Sequence, residues 1–114
     1  MGNTHLSLQA IDKPRVRELR EQLLIEAEAV RRGRQAHALS DPNRLILLAL
    51  LADAGELCVS DACLITDREQ GGVSRNLRIL WEAGLADKAR RDKNLFYWPT
   101  TEGERLLAAL LGRE

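Results

Sequence analysis

The hydrophobic period of this chain changes once, just after Gly84, and that change restricts what it can fold into. Before it, "QGGVSRNLRILWEAGL" sets Val73, Leu77, Leu80 and Trp81 along one face of a helix, and Gly84 supplies the stop. After it, "LADKARRD" and "NLFYWPT" read as two short strands joined by the polar turn "RRDKN". A helix therefore runs straight into a β-hairpin with a cationic tip. With 114 residues there is room for one domain. A core of that size buries roughly two-thirds of the unfolded surface, so a second copy would add stability.

Upstream, residues 1–11 are polar and unpatterned. They are expected to form a flexible arm ahead of a single domain over residues 12–114. "IDKPRVRELREQLLIEAEAVRRGRQAHAL" reads as one long helix, capped by Asp12, with Pro14 in its first turn. Val16, Leu19, Leu23, Ala27 and Val30 recur at helical spacing, and Leu24 and Ile25 widen the apolar face. Such a helix is expected to lay one face on its own domain and another on a partner. Next, Ser40 or Asp41 caps a helix that opens on Pro42. Its "LILLALLA" segment is apolar nearly all round, so this helix is central, and it ends at Gly55. "CVSDACLIT" makes a short helix, and "DRE" turns into Gln70. Last, "TTEGERLLAALLGRE" is a helix capped by Thr100 or Thr101. Its stripe of Leu106, Leu107, Leu110 and Leu111 suits an interface.

Two short helices, a tight turn and a hairpin describe a winged helix-turn-helix. The expected class is mostly α (α+β), with long N-terminal and C-terminal dimerisation helices and a two-stranded β-wing. In such modules the second helix enters the major groove and its first residues meet base edges. Those residues here are Gln70, Ser74, Arg75 and Asn76, with Arg78 one turn on. Gln and Asn pair bidentately with adenine, Arg with guanine, while Ser and glycine amides suit phosphates. The hairpin tip offers Arg90, Arg91, Lys93 and Asn94 to the backbone or the minor groove. From Arg68 to Trp98 seven cations face four anions, in a chain whose 17 Lys+Arg balance 17 Asp+Glu. That local excess is modest, so two modules in a dimer would bind far better than one.

Other classes find less support. There is no Ser/His/Asp grouping, no Gly-rich phosphate loop, no His-x-x-x-His and no Cys-x-x-Cys, so no enzyme is expected. No apolar run approaches the ~18 residues of a membrane helix. The start lacks a basic then apolar secretion pattern. Two cysteines make no disulfide framework and suit a reducing, cytoplasmic setting.

At this level of detail the chain resembles the ArsR/SmtB family of bacterial metal- and stress-responsive repressors. "ALSDPNRLILLALL" is similar to the family's opening helix motif, with Asp41, Pro42 and Arg44 in place. "ELCVSDAC" resembles its Glu-Leu-Cys-Val-Cys-Asp box, and "VSRNLRILWEAGLADKARRDKNLFYW" its recognition helix and wing. The resemblance runs from Ala38 to about Trp98. It implies a homodimer on double-stranded DNA, dimerised by its first and last helices, on a short operator with two-fold symmetry, released by an inducer. Three departures stand out. Glu69, Gly71 and Gly72 occupy the turn that normally opens the recognition helix with a Ser or Thr cap. Ser60 replaces the middle cysteine of the box. The last helix contains no His, so it lacks the ligands of the family's zinc and nickel sensors.

Thiolates at Cys58 and Cys63 would suit a thiophilic or transition metal ion. Five residues apart on a regular helix, they would diverge by about 140°. They converge only if Cys58 lies before the helix begins. A third ligand would come from His5, His37 or a carboxylate. The competing readings are core packing of two small apolar side chains and a redox-responsive thiol pair. His37 also reads as a surface residue at a helix corner. The expectation is a metal- or stress-responsive DNA-binding repressor. The alternatives are a winged-helix protein-interaction module, or a regulator whose signal comes from a separate sensor protein or from thiol oxidation.

Overall fold

The computed structural model describes residues 10–113. His5 and most of the expected arm lie outside them. Six helices and three strands follow in the order α1 (Lys13–Glu21), α2 (Glu26–Leu39), α3 (Pro42–Ala54), β1 (Leu57–Cys58), α4 (Val59–Thr66), α5 (Gln70–Glu82), β2 (Ala86–Arg91), β3 (Asn94–Pro99) and α6 (Thr101–Leu111). This is the expected mostly helical α+β winged helix-turn-helix.

Two details differ from the sequence expectation. The long N-terminal helix is two helices, α1 and α2, broken over Gln22–Ile25. No Gly or Pro marks that break. Its physical cause is the lack of anything to pack on: α1 buries no residue, and Leu23, Leu24 and Ile25 are exposed. Helices this short draw their stability from tertiary packing, and among the described residues α1 finds none that would hold the two segments as one. The second difference is a third strand. Leu57 and Cys58 pair antiparallel with Tyr97 and Phe96, giving a sheet of order β1-β3-β2. Cys58 is therefore on a strand, not in the short helix.

The capping signals act as expected. Asp41 accepts from the Asn43 amide at 2.7 Å, with Pro42 opening α3. Gly84, at φ 77°, closes α5. Its amide bonds the Trp81 carbonyl and the Leu85 amide the Leu80 carbonyl, the paired bonds of a Schellman end. Thr100 Oγ1 accepts from the Gly103 amide at 3.0 Å and donates to the Gly84 carbonyl at 2.7 Å. One hydroxyl thus starts α6 and ties it to the end of α5. Thr100→Ala is expected to cost about 1–2 kcal/mol, measurable by urea unfolding.

The core lies around α3. Leu48 and Leu51 meet Leu77 and Leu80 of α5, Ala62 of α4, Leu85 just before β2, and Tyr97 of β3, all fully buried or nearly so. Each such side chain contributes roughly 1.5–3 kcal/mol. This packing sets α5 and the hairpin side by side. Outside the core, Val16, Leu19, Leu23, Leu24 and Ile25 at one end and Leu110 and Leu111 on α6 stay exposed. No helix among the described residues is long and apolar enough to cross a membrane.

Candidate nucleic-acid interface

The short helix α4 ends on Asp67, in the left-handed region at φ 54°, where Asp is among the better-tolerated side chains. The Asp67 and Arg68 amides both return to the Cys63 carbonyl. The chain then reverses within three residues and starts α5. Glu69 is the N-cap, but its side chain makes no cap bond. The first amides of α5, including those of Gly71 and Gly72, are left for an outside partner.

At about 100° per residue, α5 has three functional sides. Val73, Leu77 and Leu80 face the core. Gly71, Arg75 and Arg78 face directly away from it and are exposed. Gln70 and Ser74 flank the hairpin. There they line a cleft of about 210 Å³ with Ser60, Arg90, Lys93 and Asn94. The hairpin tip turns at Asp92, at φ 56°, which leaves Lys93 at the apex. Lys88 braces the wing against the helix, its Nζ lying 3.7 Å from the Trp81 ring centre.

Two expected contact residues are engaged elsewhere. Arg91 pairs with Asn94 in the register, so its side chain leaves the opposite face of the hairpin from that of Arg90. There its Nη1 donates to Glu56 Oε2 at 2.6 Å, and its guanidinium carbon lies 5.0 Å from the Phe96 ring centre. The Glu56 hydrogen bond raises the guanidinium pKa further. Asn76 is half-buried on the flank of α5 that faces α3, and its Oδ1 accepts from Arg44 Nη1 at 3.2 Å. Sequence reasoning assigned no role to Glu56 or to the buried guanidinium of Arg44. An arginine two residues after the Pro of a Ser-Asp-Pro cap, ahead of an all-apolar segment, was the available signal for the second.

One cysteine precedes the supporting helix and the other lies within it. Cys58 is buried at the N-cap of α4, and Cys63 is half-buried against the core. Both are free thiols. Cys58 does precede the helix, the condition for convergence, yet no group of three or more His, Cys, Asp or Glu forms a metal-holding cluster among the described residues. His37 is exposed in the last turn of α2, on a groove between α2 and the end of α5. The described donor set does not fit a three-ligand metal centre.

Comparison with known proteins places this arrangement. The family model for bacterial regulatory proteins of the arsR family matches residues 41–88, from the cap of α3 into the wing. The arsenical resistance operon repressor of Escherichia coli (strain K12) is 41% identical over 59 residues, 52% of this chain and 50% of that one. The chain spans about half to two-thirds of the length of the curated relatives it matches. The antimony-specific transcriptional repressor AntR superposes with a TM-score of 0.70 at 30% identity, over 79% of this chain and 82% of that one. A homodimeric winged helix-turn-helix DNA-binding domain from Mycobacterium bovis gives 0.69 at 26% identity, over 79% and 86%. From the Asp41 cap to the wing, in sequence and in fold, the chain belongs to the ArsR family of bacterial regulatory proteins.

Proposed function

We propose that the chain is a sequence-specific DNA-binding transcriptional repressor of the cytoplasm, responsive to metal or stress. It acts as a homodimer on an operator with two-fold symmetry. The observation that carries this is the cleft in which Gln70 and Ser74 of the reading helix face Arg90 and Lys93 of the wing, with Arg75 and Arg78 exposed beside it. An α-helix fits the major groove, and this one presents hydrogen-bonding side chains there with cations on both sides for phosphate. The repressors named above support the function, and the Mycobacterium bovis domain supports the homodimer. The exposed apolar residues of α1, its linker and α6 are surface that a second copy would cover.

In this reading Gln70, Ser74 and Arg75 meet base edges, while Arg78, Arg90 and Lys93 hold phosphates. Two such units related by a dyad would enter successive major grooves about one helical turn apart. The test is a titration of the DNA directly upstream of the chain's own gene, followed by fluorescence anisotropy at several salt concentrations. Two chains per duplex and a steep salt dependence are expected. Binding that ignores salt, or that fails for every two-fold-symmetric segment of that DNA, overturns the proposal. Arg75→Ala is expected to cost about 1–3 kcal/mol on the operator and to relax the preference at one base pair of each half-site. Competition with single-base operator variants measures it.

A further inference from the structure

Arg44 is the one buried arginine among the described residues, only 8% exposed, and its guanidinium joins three elements. Its Nε donates to the Ala38 carbonyl at 2.7 Å and its Nη2 to the His37 carbonyl at 3.3 Å, both in the last turn of α2. Its Nη1 donates to Asn76 Oδ1 on α5, and lies 3.6 Å from Asp41 Oδ2, the cap of its own helix. Both carbonyls lie at the C-terminal end of α2, a place that favours a cation, and the His37 carbonyl also accepts from the Ser40 amide and hydroxyl. The link to Asn76 is different in kind. It reaches 32 residues along the chain to a side chain in the second turn of the reading helix.

We propose that Arg44 is a positioning residue for DNA reading: by holding α2 and Asn76 on one rigid guanidinium, it sets the rotation at which α5 presents Gln70, Ser74 and Arg75. This rests on the proposed role of α5. The physical argument is one of direction. Val73, Leu77 and Leu80 keep α5 on the core, but apolar contact is non-directional and tolerates small rotations. A side-chain tip on α5 lies ~6 Å from the helix axis, so a rotation of ~10° moves it by about 1 Å. That is enough to spoil a bidentate bond to a base. The guanidinium is planar and its donors are fixed relative to one another, so acceptors on α2 and α5 are held in one mutual geometry. A second tie from α3 acts on the start of the same helix, where Arg68 Nη1 donates to Asn43 Oδ1. Asn76, placed among the base-reading residues by its sequence position, becomes the receiving end of this clamp.

The experiment is a double-mutant cycle on the full chain with Asn76→Ala, Arg44→Lys and the pair. Lysine keeps the charge and loses the fork. Binding is measured on the duplex from directly upstream of its own gene and on a scrambled duplex of equal length. Each single variant is expected to lose about tenfold on the first and much less on the second, and the double variant about tenfold again rather than a hundredfold. Amide hydrogen exchange without DNA is expected to quicken over Val73–Leu77 in each variant and to stay unchanged in α6. Losses that multiply in the double variant overturn the inference, because Asn76 then meets DNA independently of Arg44. Equal losses on both duplexes, or unchanged exchange in α5, also overturn it. If Arg44→Lys does not fold, Asn76→Asp takes its place. Its carboxylate still accepts from Arg44, so α5 exchange should return to the wild-type rate, and exchange as fast as in Asn76→Ala counts against the clamp. Wild-type protein that binds both duplexes equally overturns the proposed function instead. The exchange measurements need no DNA and separate the two failures.

Discussion

Raising the salt from 50 to 200 mM is expected to weaken operator binding by about a thousandfold. In the proposed homodimer each protomer brings to the DNA surface three cations with no ion-pair partner among the described residues, Arg78, Arg90 and Lys93, and the pair of protomers six. About six phosphate contacts give a slope near −5 in log affinity against log salt, and a fourfold rise in salt then costs about 3 log units. Arg91 is left out of this count because Glu56 already holds it, on the other face of the hairpin. Two variants separate the cations. Arg90→Ala removes two contacts per dimer and should flatten the slope by about 2, weakening all DNA alike. Arg91→Ala should leave the slope within about half a unit of the wild type. The sequence alone gives the two equal weight, since Arg91 there is as good a phosphate ligand as Arg90. A slope that responds to Arg91 and not to Arg90 would place the DNA on the outer face of the wing.

Gly103→Ala is expected to destabilise the fold by about 3 kcal/mol, although the substitution improves helix propensity. Gly103 is buried in the first turn of α6, where that helix crosses the start of the wing. A methyl group there would overlap the Leu85 carbonyl oxygen and come within 2.9 Å of its carbon. Leu85 is fully buried, and its carbonyl already accepts from the Thr100 amide at 3.1 Å, so this backbone has no free direction to move. For a domain of this size about 3 kcal/mol corresponds to a fall of roughly 12–24 °C in Tm. Gly71→Ala is the contrast. No atom lies within 4 Å of a side chain placed there, and alanine should add up to about 1 kcal/mol of stability. Thermal unfolding of both variants checks the pair. A Gly103→Ala protein as stable as the wild type would mean that α6 does not cross Leu85 so closely.

Much of this molecule was legible from local pattern. The switch of period after Gly84 located α5 and the wing. Asp41 with Pro42, Thr100 and Gly84 marked helix ends through bonds made within a few residues, which a sequence displays directly. The outward position of Arg75 and Arg78 also follows from helical spacing against Val73 and Leu77. The break at Gln22–Ile25 was not legible, because it comes from missing packing and not from a helix-breaking residue. Strand β1 was not either. Two residues carry no period, and Leu57 and Cys58 are a strand only because β3 lies alongside them.

The candidate site divides along the same line. The sequence by itself determined where the helix proposed to read DNA lies and which hairpin carries the cations, since both depend on spacing within one element. Only the tertiary structure decided which of those side chains are free. Arg90 and Arg91 are neighbours in the chain, but the pleat sends one to the cleft and the other to Glu56, 35 residues away. Asn76 has the composition of a base reader, yet its oxygen is taken by Arg44, 32 residues earlier. Hydrogen bonds between elements depend on how those elements pack, and no local period encodes that.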